Sequence, residues 1–215
     1  MRFPLFSFFL IFITLPLFSS EKLISLNTSQ NNQLIKEALS NDFMTASFTQ
    51  KTIHNGEVRD IQGVIYRSKN NKFRLKYLEP LNELYISDGK NLSRYDPLLE
   101  QLEIIPLEDL LEQTPIGLIT LNYISLLKIF NITECVQFNL FINCTIEPSK
   151  KENLIQSATM SFQNKSIKKI KFNDYYGQEV FISFIDVRND FINEELFMFN
   201  PPPGTDIIRH QKTLP

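Results

Sequence analysis

The side chains that could perform chemistry are few and scattered. The two histidines, His54 and His210, lie far apart, and neither belongs to an H-E-x-x-H or similar pair. No G-x-S-x-G, C-x-x-C, P-loop or G-x-G-x-x-G run occurs. The adjacent acids Glu108-Asp109 and Glu194-Glu195 read as solvated surface or helix-start charge, and nothing singles them out as paired catalytic carboxylates. Cys135 and Cys144 have no nearby histidine, and two thiols are too few ligands for a metal site. In an oxidising compartment they could form a disulfide. The intervening VQFNLFIN could turn at Asn139-Leu140 and set the cysteines opposite each other on a hairpin. Adjacent-strand bridges demand particular geometry, so bridged and free thiols both remain open. These residues predict neither an enzyme nor a cofactor.

A formal charge of −2 gives no basic surface for nucleic acid. The first 20 residues have the form of a secretory signal peptide. Arg2 precedes an almost unbroken apolar run from Phe3 to Phe18, small residues end it at Ser19-Ser20, and Glu21-Lys22 turn the chain polar. That run, about 16 residues, falls short of the ~20 that span hydrocarbon. No cysteine follows it to carry a lipid anchor. Residues 21–215 then suit one domain with a sizeable core. Five N-x-[ST] triplets, such as Asn91-Leu92-Ser93, are as expected by chance in an Asn-rich chain.

The elements follow from periodicity. In 31–43, Leu34, Ile35, Ala38 and Leu39 have the spacing of an amphipathic helix. The period then falls to two. Segments 46–54 and 60–68 read as strands around the Asn55-Gly56 turn, and in 73–77 Phe73, Leu75 and Tyr77 alternate with Arg74 and Lys76. Strands at 83–88, 92–96 and 99–105 follow, separated by the turn signals Asp88-Gly89 and Asp96-Pro97. From Pro106 the spacing is helical again. Leu107, Leu110 and Leu111 form one short helix that stops at Pro115, and Thr114-Pro115 can start a second, oily from Ile116 to Phe130. This pair is either an ordinary buried core segment or a broken, movable cover. Strands resume near 132 and run through 157–163, 168–172 and 179–187, and an aromatic strand with a triple-proline stop is expected in 197–208.

About ten antiparallel strands and three helices predict a mainly β (α+β) fold whose sheet curls or closes. Its apolar inner face must be covered or filled. Helices over the mouth of an open barrel would leave a cavity suited to acyl chains; a fully packed core is the alternative.

The motifs ASFTQK (46–51), SDGK-L--YDP (87–97), TP (114–115) and F-F-PP-GTD (197–206) occur in this order behind a signal peptide. In this the chain resembles the LolA family of periplasmic outer-membrane lipoprotein carriers, from about residue 30 onward. The resemblance implies an incomplete antiparallel β-barrel with an N-terminal helix and a helical lid over a hydrophobic cavity. It implies a monomeric, periplasmic, non-enzymatic carrier without cofactor. Such a carrier takes acylated lipoproteins from an inner-membrane ABC-type releasing complex and passes them to an outer-membrane receptor. On this reading the lipid-binding surface comprises Ile65, Phe73, Leu75, Tyr77 and Ile86 of the sheet. The lid contributes Leu107, Leu110, Leu111, Ile116, Leu118 and Ile119. When the carrier is empty, the lid residues would pack onto Phe73, Leu75 and Tyr77. The family's usual Arg-Pro pair, whose Arg helps hold the lid shut, is replaced here by Lys69-Asn70, making Lys69 the lid-latch candidate. A frequent family Trp is Ser93 here. A lipid-binding sensor on the same barrel, or a carrier of another amphiphile such as a glycolipid, are the rival expectations.

Overall fold

The computed structural model describes residues 24–107, 116–150 and 154–211. Short β1 (Ile24–Ser25) leads into helix α1 (Thr28–Leu39). The helix begins earlier than its apolar spacing predicts and stops four residues sooner. Asn27 and Gln30 form a reciprocal capping box at its start, and Ser40 closes its end. Its apolar stripe, with Ile35, Ala38 and Leu39 buried, packs on the sheet.

A meander follows: β2 (Met44–His54), β3 (Glu57–Arg67), β4 (Lys72–Tyr77), β5 (Leu84–Asp88), β6 (Asn91–Asp96) and β7 (Gln101–Pro106). Helices α2 (Ile116–Thr120) and α3 (Tyr123–Ile129) then precede a second meander. This comprises β8 (Phe130–Phe138), β9 (Phe141–Pro148), β10 (Ile155–Gln163), β11 (Ser166–Asp174) and β12 (Glu179–Arg188). A 3₁₀ turn (Glu194–Phe197) and β13 (Asp206–Arg209) end the described chain.

The sheet order is β1-β8-β9-β10-β11-β12-β2-β3-β4-β5-β6-β7-β13. All pairings are antiparallel except β13 with β7. The strands thus form an incomplete barrel, and its order dictates the lid. β7 and β8 are consecutive in sequence yet lie near opposite edges of the sheet. Helices α2 and α3 lie on the connection that joins these two strands.

Three further elements differ from the sequence reading. The oily segment after Pro115 is two helices rather than one, because Asn122 caps α3 by accepting from Ser125 N at 3.0 Å. The aromatic strand expected in 197–208 is instead a 3₁₀ turn and extended chain, with a strand only from Asp206 to Arg209. Pro201, Pro202 and Pro203 have no N–H to give a ladder. The third is the parallel pairing of β13.

Turn chemistry fixes the frame beneath the lid. Asp88 Oδ1 accepts from Lys90 N at 2.7 Å and Asn91 N at 2.8 Å, and Ser87 Oγ accepts from Gly89 N at 3.0 Å. Gly89 has φ +95° and lies so close to Asn70 that a Cβ would sit 2.4 Å from its carbonyl oxygen. The Lys90 carbonyl then accepts from Leu107 N at 2.9 Å, where the lid begins. The sequence SDGK is therefore a structural corner that carries no chemistry of its own.

Candidate functional site

Cross-strand register decides which side chains face the hollow, because directly paired residues share one face of a sheet. Phe73 pairs with Arg67, and Leu75 pairs with Ile65 and Tyr85. These residues point inward. Ile65, Phe73 and Leu75 are at most 1% exposed and share one core with Leu107, Leu118 and Ile119 of the lid. Tyr77 and Ile116 pack against that core at its edge. Leu110 and Leu111 lie outside the described residues.

Ile86 belongs to the opposite face. It pairs with Arg74, whose Nη1 donates to the Leu196 carbonyl at 3.2 Å. Ile86 is buried under the C-terminal strap that carries the 3₁₀ turn (Glu194–Phe197) and does not line the cavity. The alternation in β5 is real, but which half faces inward depends on a register the sequence does not state. Glu194 in the same strap pairs with Lys72.

A cavity of about 500 Å³ opens beside the lid. Its apolar wall includes Leu92, Ile105, Phe172, Val180 and Ile182, with Ile116 and Ile119 supplied by α2. Tyr77 lines it too, stacked edge-to-face on Phe48 and Tyr85 with ring centroids 5.6 and 5.8 Å apart. Phe48 can lie flat across β3 because residue 63 is glycine: a Cβ there would meet Phe48 Cζ at 2.3 Å. The Tyr77 phenol is pushed up to about 12, first by burial and then by the nearby Glu83 charge. A second hollow of about 380 Å³ lies between α1 and the β8–β9 tip, away from the lid.

The lid is tied down by an arginine that sequence reasoning missed. Lys69, the expected latch, stands exposed in the β3–β4 turn. Its charge acts on Glu194 of the strap. Two residues earlier, Arg67 is 2% exposed and points inward with Phe73. Its Nη1 donates to the Leu121 carbonyl, just past α2, at 3.0 Å, and Nη2 donates to the Asn41 carbonyl at 3.3 Å. Nε finds no partner among the described residues. Burial pulls the guanidinium down to about 10, still protonated at neutral pH. Ser125 Oγ of α3 adds a 2.9 Å bond to Asn71 Oδ1. The missed signal was phase: Arg67 sits two residues beyond inward-facing Ile65.

Arg94 is inward-facing by the same logic, two residues beyond Leu92. It lies in the cavity wall, with Nε donating to Glu83 at 3.2 Å and Nη1 3.8 Å from Glu103. Cys135 and Cys144, directly opposed on β8 and β9, form a fully buried disulfide across a turn at Asn139-Leu140.

An open barrel whose connecting helices plug an apolar hollow defines a class of binding proteins. Residues 40–200 match the family described as outer membrane lipoprotein carrier protein LolA, and this chain belongs to that family. An outer-membrane lipoprotein carrier protein of Pseudomonas syringae is 32% identical over 77% of this chain and 81% of its own length. Two solved structures support the fold alone. An uncharacterized conserved protein of Thermus thermophilus overlays with TM-score 0.54 at 12% identity, covering 86% of this chain and 100% of its own. A LolA superfamily protein of Nitrosomonas europaea gives 0.50 at 10%, covering 81% and 99%.

Proposed function

We propose that this chain is a periplasmic carrier that shields the acyl chains of lipoproteins between the inner and outer membranes. Residues 1–20 act as its export signal, and residues 21–215 form the single carrier domain. It receives cargo from an inner-membrane ABC-type lipoprotein-releasing complex and yields it to an outer-membrane lipoprotein receptor. The carrier acts as a monomer and catalyses nothing. The observation that carries this reading is the lid-plugged apolar cavity, whose volume falls within the ~300–1,000 Å³ of small-molecule sites.

The energetics suit handover. Burying a 16-carbon chain is worth about 12 kcal/mol gross at ~0.8 kcal/mol per CH₂. In the closed state Leu107, Leu118, Ile119, Leu121 and Leu126 are all buried. At about 1.5–3 kcal/mol each, they contribute roughly 8–15 kcal/mol. Lipid therefore displaces a plug of comparable value, and net affinity is a small difference between two large terms. Arg67 adds a polar bond that is broken when the lid lifts. The empty carrier thereby stays closed, and the loaded one stays able to release.

The test is mass spectrometry of what co-purifies with the protein from its native envelope. Acylated protein is the expected finding. Free glycolipid without acylated protein would replace lipoprotein with another amphiphile, and the absence of any acylated molecule would overturn the reading.

A further inference from the structure

The concave face carries charge where an oily wall alone would suffice to hold alkyl chains. Along β6 and β7 the inward positions pair Leu92 with Ile105, then Arg94 with Glu103, then Asp96 with Gln101. Tyr85 continues the middle row, opposite Arg94 on β5. The row is therefore apolar at one step and charged at the next, about 7 Å along the strand. Such a wall is amphipathic along its own length.

The charged step is built rather than incidental. Glu83, whose side chain is 14% exposed, accepts both the Tyr85 hydroxyl at 2.7 Å and Arg94 Nε at 3.2 Å. Glu103 stands 3.8 Å from Nη1 on the other side, and the Arg94 guanidinium carbon lies 5.8 Å from the centre of the Tyr85 ring. The guanidinium is thus oriented by one carboxylate, flanked by a second and backed by an aromatic face. Tyr85 and Tyr77 spend their hydroxyl protons on Glu83 and Gln50. Arg94 has five N–H donors in a fixed fork, and the two carboxylates engage only part of them. Half-exposed in the cavity wall, it is the charged donor that the wall presents to a ligand.

We propose that Arg94 is a specificity-determining residue that donates a hydrogen bond to a carbonyl oxygen in the ester or amide linkage of the bound lipid. This rests on the acyl-carrier reading above. Alkyl chains lie against Leu92, Ile105 and Ile182, and the carbonyls joining them to the glyceryl-cysteine head fall at the charged step. One arginine with two glutamates leaves a net negative cluster, which repels a phosphate headgroup far more strongly than a neutral carbonyl acceptor. Glu83 acts through Arg94 and is a positioning residue.

The experiment uses the mature chain and a synthetic diacylglyceryl-cysteine peptide beside its dialkyl-ether analogue, in which the ester carbonyls are methylenes. Each competes against a fluorescent fatty-acyl probe. A hydrogen bond to a charged donor predicts that the ester form binds about tenfold or more tightly than the ether. Arg94→Met paired with Glu83→Gln keeps the net charge of the cluster at −1, leaves only the quarter-exposed Glu103 without its partner, and keeps an acceptor for Tyr85. In that variant ester binding should weaken to the ether's level, with ether affinity unchanged, which also shows that the barrel remains folded. Arg94→Lys should restore part of the preference. Equal ester and ether binding by the natural protein, or a preference that survives the double substitution, overturns the role of Arg94 while leaving the carrier reading intact. Failure of both peptides to displace the probe overturns that reading and this inference with it.

Discussion

Replacing Arg67 with methionine should loosen the lid without unfolding the barrel. The methylene stem of Met fills much of the same space, and the substitution removes a buried cation whose Nε has no partner among the described residues. The desolvation cost of that cation disappears with it, so global stability should change little. The lid loses the Arg67–Leu121 bond at 3.0 Å. A hydrogen bond to a charged group contributes about 1.5–3 kcal/mol net. The open lid should therefore become roughly 10- to 150-fold more populated. Amide hydrogen exchange reads this directly. Leu121 N, bonded to the Gly117 carbonyl, and Leu126 N, bonded to Asn122, report on the lid. Leu75 and Ile65, paired across β3 and β4, report on the barrel. The expected result is lid exchange faster by that factor with barrel exchange unchanged. Lid exchange that stays within about threefold, or a uniform rise everywhere, would refute the latch assignment.

Other substitutions probe separate links. Phe73→Glu places a carboxylate in the closed core, so either uptake or release of an acyl probe should be lost while the far-ultraviolet circular dichroism keeps its β signature; normal transport would remove Phe73 from the site. Changing both Cys135 and Cys144 to alanine removes a bridge of sequence separation 9, and urea denaturation should show a loss of about 2–3 kcal/mol; an unchanged midpoint would mean the hairpin holds itself. Gly63→Ala forces Phe48 aside and should cost about 1–3 kcal/mol, visible as a lower Tm, whereas an unchanged Tm would show that the ring has room to move. The Lys72 hydrogen bond holds the Glu194 carboxyl below its ordinary range. Its contribution to strap attachment should be complete above that ordinary value and lost as pH falls through the lowered folded one. Limited proteolysis near 189–200 should accelerate on acidification in the natural protein and be independent of pH in Glu194→Gln.

Much of the fold was legible because alternation and turn chemistry are local. The strict phase of Phe73, Leu75 and Tyr77 marked an inner face, and Asp88-Gly89 marked its corner. The oily helical spacing from Ile116 marked the two lid helices that are described. What failed needed partners distant in sequence. Ile86 alternates as a lipid-facing residue would, but its pairing with Arg74 turns it beneath the strap. The parallel match of β13 to β7 has no local signature. In the sequence the charge of Arg67 and Arg94 reads as surface, although each is in phase with a buried neighbour. Lys69 matches a family position, whereas the bond to Leu121 is made by Arg67, the cation that the strand's pleat points inward.

The most direct test of the plugged hollow is a lipopeptide whose acyl chain carries a photoactivatable diazirine near its end. After loading and irradiation, peptide mapping should place the crosslinks on inward residues such as Leu92, Ile105, Phe172 and Ile182. Crosslinks confined to exposed outer side chains such as Leu98 and Phe191 would mean that the chain never passes beneath the lid.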